Sequence, residues 1–289
     1  MTKTHRKVGI FVRFGLDVPT TGAFADARKL AELAAEAEAA GWDGFFVWDV
    51  LLSETNVVDP WIALTAIALR TTRMQIGVLV APLARHRPWL VARRLANLDH
   101  LSQGRNDCAV GIGYQERDFT AFSESGEPII RAKRLDESLT ILDRLWREDQ
   151  VSFSGEYFTL NDVTLLPKPI QSPRIPIWVS GGWPNRAPFR RAARWDGACL
   201  QSHHRERREP LSLADFREIY DYVKSQRSQQ LAGAPFEFIM SGETSLDQQQ
   251  GIEQVRPFAE AGATWWVEEG LGFSFEEFRQ RILAGPPRW

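Results

Sequence analysis

Two patterns of hydrophobic and polar residues alternate along the chain, and residues 88–119 show both. Val91, Leu95 and Leu98 recur at helical spacing, which predicts an amphipathic helix. A glycine turn follows, and a short apolar run at 108–110 then predicts a buried strand. The glycines after that run allow a backbone or a ligand to approach closely. The segment therefore predicts a helix, a turn, a strand and an open loop.

This alternation continues along the chain and predicts eight strand–helix units. The predicted strands are residues 8–14, 45–48, 76–80, 107–112, 177–179, 198–200, 236–240 and 265–267. Alternating buried strands and amphipathic helices imply parallel pairing with right-handed crossovers. Eight such units in 289 residues fit a (β/α)8 barrel of the α/β class, a TIM barrel, better than an open sheet. A doubly wound, two-domain arrangement is the structural alternative.

An insertion separates the fourth unit from the fifth, at about residues 147–176. Its first part, residues 150–160, carries a central Ser-Gly-Glu turn and predicts a β-hairpin. Its second part, residues 165–176, is rich in proline and predicts an extended connection. No other break in composition interrupts the chain. We therefore expect residues 1–289 to form a single barrel domain with this one insertion.

Composition and charge exclude several classes of protein. The formal net charge of −2 gives no reason to expect nucleic acid or an anionic membrane as a partner. Two cysteines, Cys108 and Cys199, lie in apolar runs and are too few for a disulfide or zinc framework, so we expect free thiols and no metal site. The basic start has an apolar run that Arg13 interrupts, unlike a signal peptide. These features predict a cytoplasmic protein without membrane spans.

Candidate chemistry stands where the predicted strands lead into helices, the functional face of such barrels. The two glycines in Ser180-Gly181-Gly182 could free backbone N–H groups for an anion, or could simply form a tight turn. Asp49 could accept a hydrogen bond from a ligand or cap a turn. His86 could act as an acid or base, or be an ordinary loop residue. The basic run at 203–208 could bind an acidic group or be a solvated loop. These residues indicate an anion-binding barrel enzyme.

Residues 86–119 also carry a resemblance to a known family. The pattern LD-x-LS-x-GR, at 98–105, precedes a Gly-Ile-Gly segment and an acidic residue followed by Phe119. Together these motifs resemble the signature of the bacterial luciferase-like (LLM) oxidoreductases. Further similarity at 41–49, 134–146 and 176–197 extends the resemblance over about residues 8–200.

The resemblance implies a (β/α)8 barrel with an insertion after the fourth unit, and FMN or coenzyme F420 bound at the carboxyl ends of the strands. In similar proteins the flavin ring lies against a bulge in the third strand, often with a non-prolyl cis peptide. The phosphate meets the glycine loop after the fifth barrel strand, and in deazaflavin members the strand-two aspartate contacts the ring. The residues thereby expected to bind the cofactor are Asp49, Val78, Leu79, Val80, Gly113, Tyr114, Ser180, Gly181, Gly182 and Gln201.

Two positions depart from the family pattern. Val50 stands where many members have a histidine, which is the catalytic base in some dehydrogenases. An alcohol oxidation that relies on that base is therefore disfavoured. Ile112 stands where luciferases have a phosphate-binding arginine in the strand-four loop. Because that contact is missing, the resemblance favours F420 over FMN.

The leading hypothesis is therefore an oxidoreductase that uses F420 for hydride transfer to or from a small organic substrate. An FMN-dependent monooxygenase, supplied with reduced flavin by a separate reductase, is the alternative, and a homodimer is left open. A non-catalytic flavin-binding relative is the rival from another class. A phosphosugar isomerase is disfavoured, because no acid–base pair stands at paired strand ends. The catalytic residues are unassigned, and position alone makes Arg13, His86 and Tyr114 candidates for contacting the substrate.

Overall fold

The computed structural model describes residues 12–201 and 209–288. Eight parallel strands close into a barrel in the order β1-β2-β3-β4-β7-β8-β9-β10, and β5 and β6 form a separate antiparallel hairpin. The strands are β1 Arg13–Val18, β2 Gly44–Val47, β3 Gln75–Pro82, β4 Asn106–Gly111, β5 Val151–Ser154, β6 Thr159–Val163, β7 Ile177–Gly181, β8 Gly197–Leu200, β9 Glu237–Gly242 and β10 Trp265–Glu269. The predicted TIM barrel and its hairpin insertion between units four and five are confirmed.

Helices surround the barrel and begin at residues that the sequence marks. They are α1 Ala27–Ala40, α2 Pro60–Arg70, α3 Pro88–Ser102, α4 Arg117–Thr120, α5 Pro128–Arg147, α6 Arg186–Ala192, α7 Leu213–Gln226, α8 Gln248–Ala261 and α9 Phe275–Ala284. Asp59 illustrates the signal, because its side chain accepts hydrogen bonds from the backbone N–H groups of Trp61 and Ile62 at the start of α2. Within the described ranges, no helix is long and apolar enough to span a membrane.

The first strand differs from its prediction. It begins at Arg13, whereas the sequence placed it at residues 8–14, of which 8–11 lie outside the described residues. The error arose at Gly15, which looks like the start of a loop. In the structure Gly15 lies within β1. The strand position is occupied by glycine because a Cβ atom there would lie 3.0 Å from the Phe46 ring. The strand therefore continues to Val18, and its carboxyl end lies several residues later than predicted.

This shift moves Arg13 to the amino end of the barrel. Its backbone N–H donates to the carbonyl of Thr264 at 3.0 Å. Its guanidinium pairs with Glu237, the first residue of β9, and lies 4.4 Å from the ring centroid of Trp265, the first residue of β10. Arg13 is thus at the end opposite to the expected functional face, and it is no longer a candidate for contacting the substrate.

Aromatic side chains fill the middle of the barrel. The rings of Phe46, Trp178 and Trp265 meet with centroids 5.5 to 5.9 Å apart. Ile239 and Val267 complete this inner core, which is separate from the larger apolar layer between the strands and the helices. The barrel is therefore closed through its middle, and its carboxyl end is where a ligand is expected in this fold.

Candidate functional site

A bulge interrupts β3 where the sequence resemblance expected one. Val78 pairs with Cys108, but the next pair is Ala81 with Val110, so the register shifts between them. The Leu79–Val80 peptide within the bulge is cis. These residues lie at the carboxyl half of the strand and face β4.

The bulge, β4 and β7 together form a small platform. A Cβ atom at Gly111 would lie 3.2 Å from Val80 Cγ1 and 3.8 Å from the Cβ of Ser180. Glycine at position 111 therefore lets the bulge pack closely against β4, and a side chain there would crowd Val80 and touch Ser180. Among the described residues, the Ser180 hydroxyl has no hydrogen-bond partner, and it is partly exposed. The structure thus brings Leu79, Val80 and Ser180 together beside Gly111, which has no side chain.

The loop after β7 is tightly packed. A Cβ atom at Gly181 would lie 2.6 Å from the Cβ of Pro188, so glycine is required by packing. The Gly181 carbonyl accepts a hydrogen bond from the backbone N–H of Gln201 at 3.0 Å, and the Gly182 carbonyl accepts one from the N–H of Asn185. The tight-turn interpretation therefore explains Gly181, while Ser180 beside it stays free for a ligand. Gln201 is exposed at the end of β8, and the basic run at 203–208 lies outside the described residues.

The loop after β4 forms one rim of this face. Gly113 adopts a φ of +90°, and a Cβ atom there would lie 3.0 Å from the Phe119 ring. Its carbonyl accepts a hydrogen bond from Arg131 Nη1 at 2.9 Å. The next side chain, Tyr114, is 91% exposed. Phe119 and Arg131 therefore fix the turn at Gly113, and the turn places Tyr114 on the surface at the rim. Ile112 points instead into the apolar layer outside the barrel.

A charged network follows β2 and includes two of the predicted residues. Asp49 Oδ1 accepts a hydrogen bond from Arg85 Nη2 at 2.5 Å, and Asp49 Oδ2 lies 2.6 Å from His86 Nε2. Arg85 Nη1 donates in turn to Asp118 at 2.9 Å. Charge-assisted contacts of this kind hold side chains firmly. His86 is therefore bound to Asp49, and Asp49 is held in turn by Arg85 and, through it, by Asp118, two residues to which the sequence assigned no role.

Beside this network lies a crevice of about 390 Å³, between the end of β2 and the helices α2 and α3. Its walls include Asp49, His86, Trp61 and Arg94. The His86 ring meets Trp61 edge to face at 6.4 Å, and the Arg94 guanidinium lies 5.7 Å from the Trp61 centroid. The polar edge of the Asp49 network is therefore reachable from solvent.

Sequence reasoning missed one residue inside the barrel mouth. Asp17, near the end of β1, is in register with Glu269, the last residue of β10. Trp48 Nε1 donates a hydrogen bond to Asp17 Oδ1 at 2.7 Å. Burial, and the neighbouring charge of Glu269, raise the pKa of Asp17 well above its usual range. The signal was hidden because the predicted first strand ended before Asp17.

Glu268 has a different environment from its neighbour Glu269. Its carboxylate is fully buried on the outer side of β10, where Thr244, Trp266 and Arg281 donate hydrogen bonds to it. Burial raises its pKa, while these donors act in the opposite direction. Glu268 therefore fastens β10 to its surroundings and does not reach the barrel mouth. Within residues 12–201 and 209–288, no group of three or more His, Cys, Asp or Glu is arranged to hold a metal ion.

Comparison with known proteins places this geometry in context. A family model described as luciferase-like monooxygenase matches residues 6–264. An F420-dependent glucose-6-phosphate dehydrogenase of Kineococcus radiotolerans is 31% identical over 166 residues, covering 54% of this chain and 47% of the relative. A second such dehydrogenase, of Amycolatopsis mediterranei, is 33% identical over 174 residues, covering 56% of this chain and 50% of the relative. The chain thus spans about half the length of the curated relatives that it matches.

Solved structures share the fold at lower identity. An F420-dependent secondary alcohol dehydrogenase, in complex with an F420-acetone adduct, superposes with a TM-score of 0.76 at 17% identity, covering 94% of this chain and 99% of that one. The oxygenating constituent of 3,6-diketocamphane monooxygenase from Pseudomonas putida, in complex with FMN, superposes with a TM-score of 0.67 at 16% identity, covering 95% and 78%. At these identities the likeness shows the fold alone.

Proposed function

The chain is an enzyme of the luciferase-like monooxygenase family, and we propose that it binds coenzyme F420 at the carboxyl end of the barrel and acts on a small organic substrate by hydride transfer. The observation that carries this proposal is the platform formed by Val80, Gly111 and Ser180. Glycine at position 111 keeps this surface free of a side chain, next to an apolar bulge and a free hydroxyl. A flat apolar ring with a phosphorylated side chain matches these three features.

The choice of F420 over FMN rests on Ile112. Its side chain packs into the apolar layer outside the barrel, so the strand-four loop presents no cation at that position for a flavin phosphate. The two dehydrogenases compared above are described as F420-dependent, which agrees with this choice. Their sugar phosphate is not carried over, because the match covers about half of each protein.

Different residues of the site contact different parts of the cofactor. Leu79 and Val80 support the ring, Ser180 donates to the phosphate, and the Asp49 carboxylate faces the polar edge of the ring. Arg85 and His86 act as positioning residues, because their contacts with Asp49 fix its orientation. Tyr114 covers the rim, where the substrate enters. When bound, a deazaflavin supplies two-electron hydride chemistry, and the protein supplies binding and orientation.

Titration of the purified protein with F420 and with FMN tests this proposal directly. We expect F420 to bind at least about tenfold more tightly, a difference of roughly 1.4 kcal/mol. Tighter binding of FMN would reject the cofactor choice and support the FMN-dependent monooxygenase that receives reduced flavin from a reductase. Binding of neither cofactor would reject the proposal, and binding of F420 without turnover of any substrate would support the non-catalytic flavin-binding relative.

A further inference from the structure

The inner surface at the carboxyl end of the barrel carries several polar side chains. Six inward-facing side chains contribute to it besides the apolar bulge of β3, and we refer to them as the mouth layer: Asp17, Trp48, Ser180, Cys199, Ser241 and Glu269. Their direction follows from strand alternation, because inward-facing inner-core residues such as Phe46, Trp178, Ile239 and Val267 stand two positions before members of the layer. The mouth layer thus lies directly above the aromatic core, on the side of the barrel away from the amino end.

Two carboxyl groups of the mouth layer are neighbours. The Cα atoms of Asp17 and Glu269 are partners in the parallel ladder between β1 and β10. Trp48 donates to one oxygen of Asp17, so the other oxygen and the Glu269 carboxylate are left to face the opening. Because burial and Glu269 both raise the pKa of Asp17, Asp17 holds a proton more readily than an isolated carboxylate would.

A third oxygen of the layer has no partner. Ser241 is only 7% exposed, and its hydroxyl makes no hydrogen bond within the described residues. Ser241 pairs in register with Val267, two residues before Glu269, so it lies one inward-facing position below Glu269 on the neighbouring strand. The hydroxyl can therefore both donate to and accept from a ligand oxygen in the mouth.

The charge of the layer limits what can bind. None of its six members is basic, and the guanidinium of Arg281 is held by Glu268 on the outer side of β10. Burial and the charges of Asp17 and Glu269 raise the pKa of the Cys199 thiol, which is therefore uncharged. An anionic group would meet the Glu269 carboxylate without compensation from these strands, whereas an uncharged oxygen could both donate and accept.

We propose that Asp17, Ser241 and Glu269 form the floor of the substrate pocket and bind the oxygen of an uncharged alcohol or ketone. This proposal rests on the proposed function, and it names the substrate class of the same site. A carboxylate accepts a hydrogen bond from an alcohol, and a protonated carboxyl donates one to a ketone oxygen. The pair therefore fits both members of one redox couple, and it does not require the histidine that Val50 replaces. A phosphate ester would be disfavoured at this floor.

Infrared spectroscopy of the full chain tests the state of the floor without any cofactor. A protonated carboxyl gives a C=O stretch that is separate from carboxylate bands. Asp17→Asn should remove one such component at neutral pH. Asp107→Asn is the matched control, because Asp107 is a buried carboxyl with a raised pKa at the amino end of the barrel. Adding cyclohexanol or cyclohexanone should shift the component that depends on Asp17 and leave the Asp107 component unchanged.

Ligand-observed NMR with the same chain measures selectivity. Cyclohexanol and cyclohexanone should bind at least fivefold more tightly than cyclohexanecarboxylate or glucose 6-phosphate. Glu269→Gln and Ser241→Ala should each remove most of that preference, and Glu269→Gln provides the test if Asp17→Asn does not fold. Stronger binding of either anion, or no effect of the uncharged ligands on either readout, would overturn the proposal. Such a failure with F420 binding intact rejects only the floor, whereas failed F420 binding rejects the proposed function.

Discussion

The two ends of the barrel interior both contain buried carboxyl groups, but they treat them differently. At the amino end Asp107 is buried beside Arg13 and Glu237, and the Arg13 guanidinium partly compensates the burial of its carboxyl. At the carboxyl end Asp17 faces Glu269, and no inward strand position there is basic. The cost of desolvation is thus partly offset by a cation at the amino end, whereas a second carboxyl group adds to it at the carboxyl end. The comparison suggests that the amino end serves stability and the carboxyl end serves binding.

The aromatic core between the two ends should give the largest effect on stability. Trp178 is almost completely buried and contacts both Phe46 and Trp265. Trp178→Ala should lower the free energy of unfolding by about 3–5 kcal/mol, because it leaves a large cavity. Urea unfolding followed by circular dichroism measures the change. Leu69→Ala, at an exposed position of α2, is the control and should cost far less. Similar losses for both variants would argue against a rigid core that separates the two ends.

Titration of the Asp107 carboxyl at the amino end should make the free energy of unfolding depend on pH. Burial raises the pKa of Asp107 to about 8, so the folded state keeps a proton that the unfolded state has lost above its ordinary value near 4. Stability from this group is therefore full at acidic pH and declines as pH rises towards 8, by up to about 1.4 kcal/mol per pH unit. Asp107→Asn should flatten the decline by about 3 kcal/mol between pH 5 and pH 8.

Unfolding curves in urea at several pH values measure that slope. Asp17→Asn should flatten it as well, because the pKa of Asp17 is also raised. An unchanged slope in Asp107→Asn would mean that burial does not raise the pKa of Asp107 as the structure indicates.

The sequence predicted the fold better than the site, for physical reasons that particular residues illustrate. Helical spacing and the glycine turn at 88–119 depend on local chemistry, and the helix and strand there were predicted closely. Gly15 misled the prediction because its role is to make room for Phe46, a contact between strands. The contact of Asp49 with Asp118 through Arg85 depends on where loops meet in the closed barrel. Such contacts between distant residues leave no local pattern.

The variant Arg13→Met tests whether the amino end of the barrel affects stability without affecting binding at the carboxyl end. Arg13→Met leaves Glu237 without its partner and removes the cation beside Asp107, so it should lower the free energy of unfolding by about 1–2 kcal/mol. F420 affinity should be unchanged, because the aromatic core separates Arg13 from the carboxyl end. Unfolding curves and F420 titration of the same preparation give the two values. Weaker F420 binding by a well-folded Arg13→Met would return Arg13 to the list of site candidates.

The smallest effect is expected at Ser180, and it should appear in binding alone. Its hydroxyl is partly exposed and has no partner among the described residues, so Ser180→Ala should change stability by less than about 0.5 kcal/mol. Loss of a hydrogen bond to a charged phosphate should weaken F420 binding by roughly tenfold, or about 1.4 kcal/mol. Ser154→Ala, on the exposed hairpin, is the matched control and should change neither value. Because Gly181 is explained by packing against Pro188, Ser180 separates a phosphate site from a mere tight turn: unaltered F420 affinity in Ser180→Ala would leave the glycine loop with a structural role only.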